Sequence, residues 1–189
     1  MRHDIDLDRQ RLRQTQHQQA GVLAKWLAAN GSLTARLEAL SGNRLLVMPT
    51  FEGRITLDLA DKRALNLPSR PQSAWLREAT LLGQVGDDGT AQAWVAARSV
   101  FPFASLTKDA RKLTRLGGTP IGYVMFGRGG AVLAARWLTR TAQGWQRSSV
   151  YDWQGRRVLI SETFLPAFVD FLQHPSGLSN KHPPSPNLV

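Results

Sequence analysis

Two charged residues sit where the strand pattern asks for apolar ones, and both have the chemistry to hold a small organic acid. Along Trp75–Leu81 alternate side chains share a face, and one face carries Trp75, Arg77, Ala79 and Leu81. Along Val158–Phe164 the matching set is Val158, Ile160, Glu162 and Phe164, with Ser161 and Thr163 on the other side. A guanidinium offers a fork of donors suited to a carboxylate or phosphate, and a carboxylate accepts from a hydroxyl or takes a proton. A charge turned toward a core costs on the order of several kcal/mol unless it is paired. Two readings follow. Arg77 and Glu162 pair with one another as a structural salt bridge, or both face a pocket where the arginine binds an anion and the carboxylate binds a hydroxyl or a proton.

The segment Leu116-Gly-Gly-Thr-Pro-Ile-Gly122 is a third feature. Its glycines let backbone N–H groups come close to a ligand. It reads equally well as a helix C-cap followed by a turn. It follows a helix rather than a strand and lacks the G-x-G-x-x-G spacing, so it is not a dinucleotide loop.

The remaining inventory excludes much. There is no cysteine, which removes disulfides, thiolate nucleophiles and cysteine metal sites. His3, His17, His174 and His182 all fall near the ends of the chain, leaving no histidine in the body for a metal cluster or a Ser-His-Asp triad. No G-x-S-x-G elbow and no P-loop occurs. Asp4, Asp6 and Asp8 alternate like a metal loop, but the other EF-hand positions are missing, which reads as a solvated charged arm.

The net charge is +10, from 24 Lys+Arg against 14 Asp+Glu, and few of the cations are lysine. Arginine excess suits anion recognition, and a coding bias toward arginine gives the same composition. Trp26, Trp94, Trp137, Trp145 and Trp153 lie among basic residues but alternate with apolar ones, as core aromatics do, so nucleic acid is not the expected partner. What is left is a pocket with an arginine and a carboxylate, no metal, no organic cofactor, and a small anionic ligand.

The elements that must position these groups are legible from periodicity. The 189 residues fit one domain. A polar arm is expected over 1–19, a folded body over 20–173 and a proline-rich tail over 174–189. The start of the chain has no apolar signal region, and no run approaches ~18 apolar residues, so a cytoplasmic protein without membrane insertion is expected. Leu23, Trp26 and Leu27 mark a first helix, stopped by Asn30 and Gly31. Ser32 caps a second, whose stripe is Leu33, Leu37 and Leu40. Strands are expected at Arg44–Pro49, Gly53–Leu59, Trp75–Gln84, Ala91–Phe101, Ala131–Thr141, Gly144–Trp153 and Arg156–Leu165, with a further helix over Thr107–Leu116. Sequential hairpins predict an α+β fold, a single antiparallel β-sheet of about six strands with helices on one side.

Four blocks in order resemble the chorismate pyruvate-lyase family: Trp75-Leu-Arg-Glu78, Ala97-Arg-Ser-Val-Phe-Pro102, Leu116-Gly-Gly-Thr-Pro-Ile-Gly122 and Ser161-Glu-Thr-Phe-Leu-Pro166. A weaker block is Ser32-Leu-Thr-Ala-Arg-Leu-Glu38. The resemblance implies a buried ligand site under flaps and conversion of chorismate to 4-hydroxybenzoate and pyruvate, the first step toward ubiquinone, with no metal or cofactor. It implies that Arg77 holds the ring carboxylate in a bidentate fork and that Glu162 bonds the 4-hydroxyl, both being catalytic candidates. Backbone N–H groups of Ile121 and Leu33 complete the carboxylate site, Leu33 standing where a familiar member has methionine. Arg98 and Arg147 are candidates for the enolpyruvyl carboxylate. A monomer acting on a small molecule is expected. The rival reading is a non-enzymatic aromatic-acid sensor of the same fold, although only about 20 residues precede the first body helix, too few for a DNA-binding module.

Overall fold

Period-2 alternation over long β-rich runs resolves into one sheet. The computed structural model describes residues 21–85, 89–105, 113–127 and 130–174. Helix α1 covers 21–27, followed by α2 (Leu33–Ser41), β1 (Leu46–Thr56), α3 (Leu59–Ala64), β2 (Ser73–Val85), β3 (Thr90–Pro102) and a 3-10 turn at Phe103–Ser105. Then come α4 (Ile121–Met125), β4 (Val132–Arg140), β5 (Trp145–Trp153), β6 (Arg156–Phe164) and α5 (Pro166–Gln173). The six strands lie in the order β1-β2-β3-β6-β5-β4, with every neighbouring pair antiparallel. The architecture is the expected α+β antiparallel sheet, but the helices are not all on one side, since α3 packs on the opposite face, where Arg98 bonds its Asp61.

The local departures have local reasons. The two strands expected over Arg44–Pro49 and Gly53–Leu59 are one strand, β1, whose register shifts between Pro49 and Phe51. Pro49 has no N–H for a ladder, and an edge strand with a bulge tolerates it. That strand stops before Leu59 because Asp58 caps α3, its carboxylate accepting from the Asp61 N–H at 2.7 Å. Helices α3, α4 and α5 are short and were not anticipated; α5 opens with a proline at its first position, where the fixed φ suits a helix start. The helix expected over 107–116 lies mostly outside the described residues, and 113–115 form a 3-10 turn.

The expected α2 is present. Ser32 Oγ accepts from the Ala35 N–H at 3.3 Å, and Gly42 ends the helix in the left-handed region at φ 68°.

One face of the sheet carries two separate apolar clusters. At one end Leu23, Leu27, Leu37, Leu81, Trp94 and Phe168 pack where α1, α2 and α5 meet the sheet. At the other end Phe101, Leu113, Met125, Tyr151, Trp153 and Ile160 pack together. Each fully buried side chain of this size is worth roughly 1.5–3 kcal/mol, enough for the clusters to carry some buried polarity between them. The opposite face has its own small core, in which Leu57 and Leu65, flanking α3, cover Ala74, Leu76, Val100, Val150 and Leu159.

Candidate functional site

Between the two apolar clusters a polar belt crosses the sheet. Strand register aligns it: Glu52 pairs with Arg77, Arg77 with Ser99, Ser99 with Ile160, Ile160 with Ser149 and Ser149 with Arg136. One row further, Ala79 pairs with Ala97, Ala97 with Glu162 and Glu162 with Arg147. Alanine and serine on β2 and β3 keep the floor low between the two charges. Arg77 is 2 % exposed and Glu162 9 %. They stand two strand spacings and one row apart, about 12 Å between backbones.

Arg77 and Glu162 do not pair with each other. Arg77 Nε donates to Glu52 Oε1 at 2.8 Å, and its Nη2 donates to the carbonyls of Gly117 at 2.7 Å and Thr119 at 3.2 Å. Nη1 donates to no described residue, so among the described residues Arg77 keeps one uncommitted nitrogen rather than an open fork. Glu162 Oε2 accepts from Arg147 Nε at 2.5 Å, and its Oε1 is uncommitted among the described residues.

The same contacts bring in the two backbone positions. By holding Gly117 and Thr119, Arg77 fixes the loop that runs into α4, whose first helical residue is Ile121. Leu33 is the first residue of α2, directly after its cap. First-turn N–H groups have no acceptor within their own helix, so both remain donors for something else. The two helix starts touch: a Cβ on Gly122 would lie 2.5 Å from Ser32 Oγ and 2.9 Å from Thr34 Oγ1, so only glycine lets them come so close. Farther along, the Tyr123 hydroxyl donates to Glu38 Oε1 and links α4 to α2. That bond holds the proton on the phenol, raising its pKa above the ordinary value.

Arg147 is 1 % exposed and commits two of its three nitrogens, Nε and Nη1, to described residues. Its Nε donates to Glu162, and its Nη1 donates to Trp26 O at 2.7 Å and Ala29 O at 3.0 Å, carbonyls at and just beyond the end of α1. Arg136 reaches the same place, donating to Ala29 O at 2.8 Å and through Nε to Ser149 Oγ at 3.0 Å. Arg98 is not in the belt. It projects from the opposite face and forms a two-pronged bridge to Asp61, at 2.9 and 2.7 Å.

Sequence reasoning missed Glu52, and missed that Arg147 is the partner of Glu162. Glu52 fell in the gap between two expected strands, where no face could be assigned. Arg147 was within reach, since alternation along Gly144–Trp153 places it with Trp145, Ser149 and Tyr151 on one face.

Chemically, Arg77 Nη1 is able to donate to an anion and Glu162 Oε1 to accept from a hydroxyl, on the same face of the sheet. Among the described residues no cluster of three or more histidine, cysteine or carboxylate side chains is placed to hold a metal, and no helix is long and apolar enough to cross a membrane.

Comparison with known proteins points to one family. The family described as Chorismate lyase matches residues 9–171. A protein of Psychrobacter cryohalolentis named "Probable chorismate pyruvate-lyase" is 47 % identical over 152 residues, covering 78 % of this chain and 88 % of the relative. The "Chorismate pyruvate-lyase" of Serratia proteamaculans is 34 % identical over 146 residues, covering 77 % of this chain and 79 % of the relative. Among solved structures, PhnF from Mycobacterium smegmatis superposes with a TM-score of 0.50 at 15 % identity, over 74 % of this chain and 66 % of that one, which shows a shared fold alone. With the match running through every element that builds the belt, the chain belongs to the chorismate lyase family.

Proposed function

We propose that the protein is a chorismate pyruvate-lyase, converting chorismate to 4-hydroxybenzoate and pyruvate and so serving the first step toward ubiquinone. The observation that carries the reading is the pair of buried charges on one sheet face, each with one atom uncommitted among the described residues: Arg77 Nη1 and Glu162 Oε1. Chorismate has a ring carboxylate and, across the ring, a hydroxyl. The carboxylate would meet Arg77 and the N–H groups of Ile121 and Leu33, and the hydroxyl would meet Glu162.

In the reaction the ether bond at C3 breaks, the hydrogen at C4 leaves, and the ring becomes aromatic, which drives the step. The hydrogen passes either directly to the methylene of the departing enolpyruvyl group or to Glu162 as a base. The ion pair with Arg147 favours Glu162 as an anchor for the C4 hydroxyl. The work of the protein is then to hold a reactive conformer away from water. The contact between the starts of α2 and α4 adjoins the loop that Arg77 holds, so a movement there on product release is a candidate for the slow step.

The test is an assay of purified protein with chorismate, in EDTA and without added cofactor, following both products. Equimolar 4-hydroxybenzoate and pyruvate are expected. Binding of 4-hydroxybenzoate without turnover would replace the enzyme reading with that of an aromatic-acid sensor. Glu162→Gln sharpens the mechanism: an anchor loses less than about 10²-fold in kcat, whereas a general base loses 10²–10⁴-fold or more.

A further inference from the structure

We propose that Arg147 is a positioning residue for recognition of the ligand hydroxyl, acting through Glu162. The inference deepens the reading above and rests on it. Arg147 stands beside Glu162, on the strand farther from Arg77. It is held from three sides: Nε by Glu162 Oε2 at 2.5 Å, Nη1 by Trp26 O at 2.7 Å and Ala29 O at 3.0 Å, and its plane by the Phe164 ring, 5.9 Å from the centroid.

A carboxylate has two oxygens and can turn about its last bond. A single strong, charge-assisted bond to one oxygen stops that rotation and aims the other. With Oε2 engaged by Arg147, Oε1 is the oxygen presented to a ligand. Lysine at this position would keep the charge but lose the planar fork that spans Glu162 and the α1 carbonyls together.

The same fork ties the carboxylate to the chain that carries another donor. Ala29 lies four residues before Leu33, the first residue of α2. Arg147 therefore joins the hydroxyl end of the site to the covering segment between α1 and α2. Arg136 also grips Ala29 O, yet its other bonds run to Ala28, Asn30, Ser149 and Tyr151, not to Glu162. It is the natural control, since it shares the structural duty and not the proposed one.

The experiment measures binding of two probes, 4-hydroxybenzoate and benzoate, to the full chain by calorimetry or fluorescence. Their ratio of affinities reports hydroxyl recognition alone, because a general loosening weakens both equally. The wild-type chain is expected to prefer 4-hydroxybenzoate, and Glu162→Gln to reduce that preference at least tenfold. Arg147→Lys and Arg147→Gln are expected to reduce it as much, while Arg136→Lys leaves it within about twofold. The double variant Arg147→Lys with Glu162→Gln is expected to show no further loss of preference beyond Glu162→Gln, as groups acting as one unit do.

A preference retained in either folded Arg147 variant would overturn the proposal. So would a fall in both affinities by the same factor, which marks a purely structural role. Absence of preference in the wild-type chain has a different meaning, since it removes Glu162 from hydroxyl recognition and takes down the reading of the site itself.

Discussion

Arg77 and Arg98 leave adjacent strands toward opposite faces of the sheet and end in different company. Arg98 spreads both terminal nitrogens on Asp61, whose side chain is 8 % exposed, and the carboxylate raises the pKa of the guanidinium above its ordinary value, chiefly through those hydrogen bonds. Beside it lies an open depression of about 310 Å³ lined by Glu78, Thr80, Gln146, Ser161 and Thr163. Its polar groups bond one another: Gln146 Nε2 donates to Thr163 Oγ1 at 2.9 Å, and the hydroxyls of Ser148 and Ser161 are 2.8 Å apart. That face satisfies itself. The belt on the other face is more deeply buried and, among the described residues, less complete, since Arg77 and Glu162 each keep one atom without a partner there. Burial with unfinished hydrogen bonding is costly unless a ligand completes it, whereas a finished bridge is ordinary structure.

The contrast predicts a descending series of effects. Arg77→Met should be the largest, because it removes the anion donor and strands Glu52. Truncating one partner of a buried charge pair costs about 2–5 kcal/mol, so 4-hydroxybenzoate affinity should fall by about thirty-fold to several thousand-fold. Unchanged affinity in a folded variant would remove Arg77 from the site.

Gly122→Ala comes next. The added methyl would meet Ser32 Oγ at 2.5 Å and push the starts of α2 and α4 apart. A shift of this kind is expected to weaken ligand binding roughly tenfold, with a modest change in thermal stability. Equal binding would mean that the two helix starts do not act together.

Asp61→Asn inverts the pattern. It should lower stability by about 1–3 kcal/mol through loss of a charge-assisted pair and leave ligand affinity within about threefold. A large loss of affinity at intact stability would show that the two faces are coupled.

Tyr123→Phe should be smallest. The Tyr123 side chain is largely exposed, so its bond to Glu38 is screened by solvent. The sign is fixed nonetheless. The folded pKa is raised above the unfolded value of 10.0, so any stability from the bond is present in full below pH 10 and is lost as pH climbs through the folded value. Between pH 6 and 9 the variant and the parent should melt in parallel, and the gap between them should close only in stronger alkali.

Much of this was legible beforehand, for a reason visible in particular residues. Arg77 and Glu162 stood out because long strands alternate strictly, and a charge in the apolar register cannot be explained locally. The cap at Ser32 and the stop at Gly42 follow from side-chain chemistry within three or four residues. The short helices α3 and α4 were not legible, since six and five residues carry too little periodicity to register. Nor was β1 as one strand, because Pro49 breaks the pattern at the bulge.

The sequence by itself determined which residues face inward along each strand, where the chain turns, and hence that one arginine and one glutamate lie buried without a local partner. Those properties depend on neighbours a few positions away. The tertiary structure alone decided what completes them. Arg77 finds Glu52 at a separation of 25 residues and Gly117 at 40, and Arg147 finds Ala29 at 118. The strand order sets β6 beside β3 rather than beside a sequence neighbour on that side, which brings Glu162 opposite Ala97 and next to Arg147. No local rule specifies such pairings, because they are settled by burying two apolar clusters at once, and the polar belt is what those clusters leave between them.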